Sequence, residues 1–182
     1  KTDYKREYLH NQPTTIEGPI ESQIYAVIQK LNELLSDVSV NREKVKLRYP
    51  QEALKELLVN AVIHRDYSLN DDIHVRVYDN RIEVRSPGKL PGYITLENIY
   101  EERFSRNPVI VRALHRLPDP VNKDIGEGLD TVRNALRSAK LVEPLIEELE
   151  NSVQITVEHR SIESLRDIIL RHLENNPVIT NR

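Results

Sequence analysis

The sequence contains no cysteine, methionine or tryptophan, and only five of its 182 residues are glycine. Without cysteine the chain forms no disulfide, has no thiol nucleophile and offers no thiolate to a metal ion. This composition is compatible with a cytoplasmic protein, which is the location that we predict. Long apolar runs are missing too, because no stretch reaches the roughly 18 to 20 residues that a membrane-spanning helix needs. We therefore expect no membrane partner.

A strong charge of either sign is also absent. The formal net charge is −3, with 38% hydrophobic and 30% charged residues, which is typical of a globular domain. Such a balance argues against a cationic surface that covers the whole domain, as many nucleic-acid-binding domains have. Any contact with DNA must therefore come from a specific element or from another part of the protein.

Periodicity in the sequence predicts both helices and strands. The stretch "IESQIYAVIQKLNELL" (20–35) has apolar residues at helical spacing. Alternating patterns in "DIHVRVYD" and "RIEVRSPG", separated by the turn-forming pair Asp79-Asn80, predict a β-hairpin. A long loop with one short helix follows, and then Asn107 and Pro108 predict the cap and first turn of a helix in "PVIVRALHRL". A further helix fits "LDTVRNALRSAKL", and two last strands fit "PLIEELE" and "SVQITVEH".

This order of elements predicts an α/β fold, namely a two-layer sandwich with helices on one face of a mixed sheet. The pattern changes near residue 160, where we place a domain boundary. Residues 20–160 then form the main module, 1–19 a linker or the end of a preceding domain, and 161–182 a helix, a turn and the start of another element.

The stretch "EALKELLVNAVIHRDYS" (52–68) carries Glu56, Asn60 and His64 at every fourth position of an otherwise apolar helix. On a helical projection this polar stripe lies between two apolar arcs, so it is either a solvated face or the wall of a cleft. Glu56 can activate a water molecule, and the Asn60 amide oxygen can ligate Mg²⁺, as nucleotide hydrolysis requires. Arg65 and Asp66 fit helix-terminal charges and an ion pair better than a kinase catalytic loop, because the other kinase motifs are missing. No role is assigned to His64.

Two glycine-bearing loops follow this helix in the sequence. The first, "SPGKLPG" (86–92), ends a hairpin strand, where glycine permits a positive φ or a close approach to a ligand. In the second, "DIGEGLDTVRNAL" (124–136), Gly126 and Gly128 precede a helix, whose free N–H groups would favour phosphate. Each loop taken alone fits an ordinary turn equally well.

Taken in order, "ALKELLVNAVIHRDYS", "RIEVRSPGKLPG", "FSRNPVIVRALHRL" and "DIGEGLDTVRNAL" resemble motifs of the GHKL ATPases, the superfamily of gyrase-type topoisomerases and histidine kinases. More narrowly, residues 20–159 resemble the ATPase-like module of RecG-related transcriptional regulators. The resemblance implies a GHKL-like (Bergerat) fold, ATP and Mg²⁺ as cofactors, and a homodimer. It also implies a preceding AlbA-type domain and a winged helix that begins in 161–182, through which the full-length protein would bind DNA.

The resemblance assigns Glu56 to the catalytic, water-activating glutamate and Asn60 to the magnesium-binding asparagine. Gly126 and Gly128, followed by Leu129, would form the glycine box over the phosphates.

Gly88 would lie beside the adenine, and Arg106, in a lid that spans 91–107, would touch phosphate. Ser86 departs from the superfamily pattern, since an aspartate that accepts a hydrogen bond from the adenine amino group is usual at its position. A serine accepts the same bond but lacks the charge.

Two hypotheses follow from these residues. The first is an ATP-binding module, with hydrolysis left open, in a DNA-binding regulator. The second is a dimerisation and signalling module of the same kind of regulator that has lost nucleotide binding. The sequence has no P-loop G-x-x-x-x-G-K-[ST], so we do not expect it to unwind DNA.

Overall fold

A computed structural model describes residues 13–35, 39–40, 43–46, 49–116 and 128–162, together with Leu170 and Leu173. For 39–40 and 43–46 it describes the backbone alone. In this part of the chain there are four helices and six strands: α1 (Ile20–Leu35), β1 (Ser39–Val40), β2 (Glu43–Lys46), α2 (Gln51–His64), β3 (His74–Val77), β4 (Arg81–Pro87), α3 (Pro108–His115), α4 (Gly128–Ser138), β5 (Leu145–Glu148) and β6 (Ser152–Glu158). The helices predicted at the positions of α1, α2, α3 and α4 are confirmed, as are the β3–β4 hairpin and the two last strands.

Four strands form one antiparallel sheet in the order β3-β4-β6-β5. The predicted mixed sheet is wrong for the described strands, because all of their pairings are antiparallel. Short turns join β3 to β4 and β5 to β6, and such turns permit only antiparallel pairs. The two hairpins then meet side by side, with Ile82 opposite Val157 and Val84 opposite Ile155. The fold is therefore α/β, built on an antiparallel sheet.

Helix α2 lies at the centre of the fold. Nine of its side chains are buried, and it packs against β4, α4, α1 and α3. Pro50 precedes its first turn, where the missing N–H of proline costs no hydrogen bond. Ile82, Val84, Ile155 and Val157 form the apolar face of the sheet and belong to the same core. Helix α2 is thus enclosed almost all round.

Polar contacts fix the start of α2 to one end of the sheet. The Tyr49 hydroxyl contacts Nδ1 of His159, and Nε2 of the same imidazole lies 3.0 Å from the Tyr78 carbonyl oxygen. Burial raises the pKa of Tyr49 and lowers the pKa of His159 to about 4. Both groups are therefore uncharged near neutral pH, and the pair joins Tyr49, two residues before α2, to His159, the residue after β6.

The segment between β4 and α3 forms hydrogen-bonded turns and no helix in residues 89–107, so the predicted short helix is wrong. Asn98 explains the difference. Its side-chain oxygen accepts a hydrogen bond from Thr95 N at 2.7 Å, and its side-chain amide donates to the Tyr93 carbonyl at 3.1 Å. These local bonds compete with a helical path of the backbone.

The predicted segments 1–19 and 161–182 lie only partly within the described residues. Ile162 N donates to the Lys140 carbonyl at 2.8 Å, so two residues past the predicted boundary the chain is still bonded to the turn that follows α4. Most of 161–182, where a winged helix is predicted to begin, lies outside the described residues, as does 1–12. Among the described helices, none is long and apolar enough to cross a membrane.

From the central position of α2 we predict how two substitutions change the free energy of unfolding. Leu57 is 1% exposed, and Leu57→Ala should lower the free energy of unfolding by about 2 to 5 kcal/mol through lost apolar burial and a residual cavity. Leu34→Ala is the matched control, since Leu34 is a helical leucine that is 40% exposed, and it should cost about 0.5 kcal/mol or less. Urea denaturation of both variants measures the two losses, and equal losses would contradict a core centred on α2.

Candidate functional site

A cavity of about 420 Å³ opens between α2, the apolar face of the sheet, the start of α4 and the segment 89–107, which we call the lid. Its size is within the usual range for small-molecule sites. Of the residues predicted from the sequence, those that line it are Glu56, Asn60, Ser86, Gly88, Gly128 and Leu129, and His64 lines it as well. The polar stripe of α2 therefore faces a cleft.

Asn60 is 7% exposed, and hydrogen bonds fix the orientation of its amide. Its Nδ2 donates to the backbone carbonyl of Glu56 at 2.8 Å and to Glu56 Oε1 at 3.0 Å. With the nitrogen turned toward its own helix, Oδ1 points toward α4. The pair is thus arranged as one amide acceptor beside one carboxylate.

Gly128 covers this pair at the first residue of α4. A Cβ added to Gly128 would lie 3.0 Å from Asn60 Oδ1 and 3.5 Å from Glu56 Oε1. The start of the helix therefore approaches the two polar side chains as closely as a residue without a side chain allows. Leu129 and Asp130 also line the cavity at this end. Gly126, predicted to act with Gly128, lies outside the described residues.

Ser86 is on the opposite wall, near the end of β4. Its hydroxyl donates a hydrogen bond of 2.7 Å to the Ala61 carbonyl of α2. The backbone adds a second link, since Asp66 N donates to the Pro87 carbonyl at 2.8 Å. The end of α2 is thus bonded to β4 directly beside the cavity.

Gly88 follows Ser86 and Pro87 with a φ of +106°, a conformation that side chains rarely adopt. A Cβ there would lie 2.7 Å from Asp66 Cβ and 3.0 Å from an Arg106 nitrogen. Arg106 lies beside Gly88, and its predicted phosphate contact stays a prediction. Its guanidinium forms an ion pair of 2.8 Å with Asp66 and donates to the Lys89 carbonyl, and it is not among the residues that line the cavity.

Asp66 therefore forms the ion pair predicted for the end of α2. A hydrogen bond from the Ser68 hydroxyl, with a second from Ser68 N and the nearby Arg106, lowers the pKa of Asp66. Arg65 has a similar structural role, donating to the Asp71 carbonyl at 2.7 Å and lying 3.4 Å from the Asp72 carboxylate.

His64 stands one turn beyond Asn60 on the same side of α2. Burial, with a further contribution from the Arg106 charge, lowers its pKa to about 4. The imidazole is therefore neutral at physiological pH, with one N–H donor and one nitrogen acceptor.

The lid closes over the cavity with apolar side chains and is tied to its surroundings at several points. Ile94, Ile99 and Phe104 line the cavity. Arg133 of α4 lies 4.2 Å from the centre of the Tyr100 ring, and it also pairs with Asp130. This contact connects the lid to the helix whose first residue is Gly128.

Asn107 and Pro108 occupy the predicted cap position and first turn of α3, but the Asn107 side chain makes no cap hydrogen bond to that helix. Instead its amide donates to the carbonyls of Ile63 at 2.9 Å and Arg65 at 2.8 Å, which the end of α2 leaves without helical partners. The end of the lid segment is therefore joined to the end of the site helix.

Sequence reasoning missed the apolar residues of the cavity wall and the two arginine contacts at the lid. Apolar residues in a loop give no periodic signal, and the partner of an arginine depends on which elements meet in space. In the described part of the chain no group of three or more histidine, aspartate or glutamate side chains is placed to hold a metal ion.

The close approach of Asp66 and Arg106 to Gly88 leads to a second prediction. Gly88→Ala should destabilise the fold by at least about 1 kcal/mol more than Gly18→Ala. Gly18 is the control because it also has a positive φ, +119°, yet an added Cβ would meet nothing within 4 Å. The difference between the two variants in urea denaturation thus measures the contact with Asp66 and Arg106 and not the backbone strain. Equal losses would show that this contact is not tight.

Comparisons with known proteins agree with this arrangement. Residues 70–157 match the family described as "Putative ATP-dependent DNA helicase recG C-terminal". A solved structure, the DIP2311 protein from Corynebacterium diphtheriae, is 28% identical with a TM-score of 0.60 over 87% of this chain, which spans 31% of that protein's chain. No curated protein matches the sequence. The family match includes Ser86, Gly88 and Gly128 and begins after α2. Residues 70–157 are therefore similar to the RecG-related, ATPase-like segment that this family description names.

Proposed function

We propose that the cavity binds ATP with Mg²⁺, in a GHKL-like manner, and that the chain is the nucleotide-binding module of a larger DNA-binding transcriptional regulator. The observation that carries the proposal is the approach of Gly128 to Asn60 and Glu56. It brings a helix start, an amide oxygen and a carboxylate to one end of a cavity that is otherwise mostly apolar.

The start of α4 suits the phosphates. Free N–H groups and the positive end of the helix dipole favour an anion at such a position. The absence of a side chain at Gly128 lets this helix start lie directly against Asn60 and Glu56. The apolar side of the cavity, with Val84 and Ile155, then suits the base.

Asn60 fits a magnesium ligand, because its Nδ2 is used in hydrogen bonds to Glu56 while its Oδ1 lies nearer than Nδ2 to Gly128. Mg²⁺ prefers oxygen ligands and commonly keeps several waters while it binds substrate phosphates. A single amide oxygen from the protein is compatible with a coordination shell made mostly of waters and phosphate oxygens. When bound, the ion would neutralise charge on the phosphate chain.

Glu56 would orient and deprotonate the attacking water. Its carboxylate lies at the same end of the cavity as Asn60 and accepts that residue's amide hydrogen bond. Phosphoryl transfer depends mainly on positioning and on charge stabilisation, so a placed carboxylate and cation are the expected parts.

Ser86 suits the adenine amino group in spite of the missing charge. Because its hydroxyl hydrogen is directed to the Ala61 carbonyl, the oxygen presents lone pairs to the cavity. An acceptor pairs with the amino group of adenine, whereas guanine presents a carbonyl oxygen at the same place. The serine thereby favours ATP over GTP.

The wider role rests on the resemblance to RecG-related regulators. We propose that DNA is bound by flanking domains of the full-length protein, that the protein is a cytoplasmic homodimer, and that this segment signals the nucleotide state to them. The 31% coverage of the DIP2311 chain supports a larger protein around the module.

Two substitutions separate binding from hydrolysis. Asn60→Ala should weaken magnesium-dependent ATP binding at least about tenfold, through loss of an ion ligand. Glu56→Ala should leave binding nearly unchanged and reduce hydrolysis about 10² to 10⁴-fold, as expected for loss of a general base. Calorimetry and phosphate release measure the two effects.

Matched controls exist for both variants. Glu52 is an exposed glutamate one turn before Glu56, and Asn134 is an exposed asparagine of α4, so alanine at either position should change neither property. If the unaltered protein gives no heat with any magnesium nucleotide, the proposed function is wrong. The dimerisation module without nucleotide would then stand, with sedimentation unaffected by ATP.

A further prediction concerns Gly128. Gly128→Ala should lower ATP affinity severalfold, because the added methyl group crowds Asn60 Oδ1 at 3.0 Å. The free energy of unfolding should not fall by more than about 0.5 kcal/mol, since alanine favours the helix over glycine. Calorimetry combined with urea denaturation tests both statements, and unchanged affinity would argue against phosphate at the start of α4.

A further inference from the structure

His64 is the one member of the polar stripe on α2 that the proposed function leaves without a role. It lines the cavity together with Glu56 and Asn60. Its position is four residues beyond Asn60 and eight beyond Glu56, which is about 12 Å along the helix axis from Glu56. Within the described part of the chain, its ring has no hydrogen-bond partner, although most of it is shielded from solvent.

Two sets of contacts involve the residues of α2 at the cavity. In the first set Gly128 lies over Asn60 and Glu56. In the second set Ser86 is bonded to the carbonyl of Ala61, which precedes His64 by three residues and so lies on a neighbouring part of the helix surface.

The surroundings of His64 do not suit phosphate binding by that side chain. Arg106, the nearest charge to affect it, is engaged by Asp66 and by the Lys89 carbonyl. The imidazole is neutral, because burial and Arg106 lower its pKa to about 4. A neutral ring offers one donor and one acceptor, which match a base edge or a sugar hydroxyl better than a phosphate group.

We propose that His64 recognises the nucleoside part of the bound nucleotide, through a hydrogen bond between its imidazole and the base edge or a ribose hydroxyl. This inference rests on the proposed function and adds a specificity-determining residue to it. The polar stripe then divides into a magnesium and water part at Asn60 and Glu56, and a nucleoside part at His64.

Calorimetry with the full chain tests the assignment. The ligands are ATP, adenosine, 2′-deoxy-ATP and tripolyphosphate, each with magnesium, and the variants are His64→Ala and His64→Gln. His64→Ala should weaken ATP and adenosine by the same factor, about tenfold for one lost hydrogen bond, and leave tripolyphosphate unchanged. Glutamine retains a donor and an acceptor, so His64→Gln should recover part of the loss.

Asn60→Ala provides the opposite pattern, because it should weaken ATP and tripolyphosphate and spare adenosine. With 2′-deoxy-ATP, a persisting effect of His64→Ala assigns the bond to the base or the 3′-hydroxyl, and a vanished effect assigns it to the 2′-hydroxyl. Both results support a nucleoside contact.

Two results would overturn the inference while leaving ATP binding intact. One is a His64→Ala variant that weakens ATP and tripolyphosphate but not adenosine, and the other is unchanged affinity for all ligands. A lack of nucleotide binding by the unaltered protein would instead refute the proposed function as well. If His64→Ala does not fold, the ring resonances of His64 in the unaltered protein decide the matter, since adenosine should shift them and tripolyphosphate should not.

Discussion

The orientation of the Asn60 amide is the constraint on which the candidate site depends. An amide can turn either its oxygen or its nitrogen toward a ligand, and only the oxygen can ligate a cation. Here the nitrogen donates to the backbone and side chain of Glu56, so the oxygen is directed toward Gly128. Both acceptors belong to the same helix, one turn before Asn60. Contacts within α2 therefore orient the Asn60 side chain, and the rest of the fold positions that helix.

Positioning is achieved by fastening α2 to the sheet at both ends. Tyr49, just before the helix, contacts His159 after β6, while Ser86 of β4 is bonded to Ala61 in the last turns. Between these points the helix is held by apolar packing, which is strong but lacks direction. The polar contacts supply the direction, because a rotation of α2 would break hydrogen bonds that are shielded from water. A cavity wall on this helix is consequently rigid.

The elements that were predicted correctly from the sequence are those whose structure depends on a local residue pattern. The bounds of α1 follow from its apolar periodicity, and the β3–β4 hairpin follows from the alternation on either side of Asp79-Asn80. What failed depends on contacts between distant residues. The Asn107 side chain makes no cap bond to α3, and its amide instead donates to carbonyls some forty residues away, at the end of α2. Arg106 likewise forms an ion pair with Asp66. Nothing in the lid sequence indicates which carboxylate this arginine contacts.

The candidate site was more predictable than the lid for the same reason. Glu56 and Asn60 are related by helical spacing, which places them together once the helix is recognised. The directions of the sheet strands, in contrast, depend on how two hairpins meet, and the sequence pattern of a strand does not encode the direction of its neighbour. The walls contributed by the lid are apolar residues in turns, which resemble an ordinary surface loop until the structure brings them over the cavity.

The bond from Arg106 to the Lys89 carbonyl joins the two ends of the lid to each other. A loop whose ends are already closed has no further closure entropy to lose when residues are added or removed at its tip, apart from a term that grows slowly with length. The ends also stay fixed to Asp66, beside the site. Insertions and deletions at the tip should therefore change the size and character of the cover while the cavity floor is unaffected. The lid is accordingly the place where related modules can diverge most freely in what they enclose.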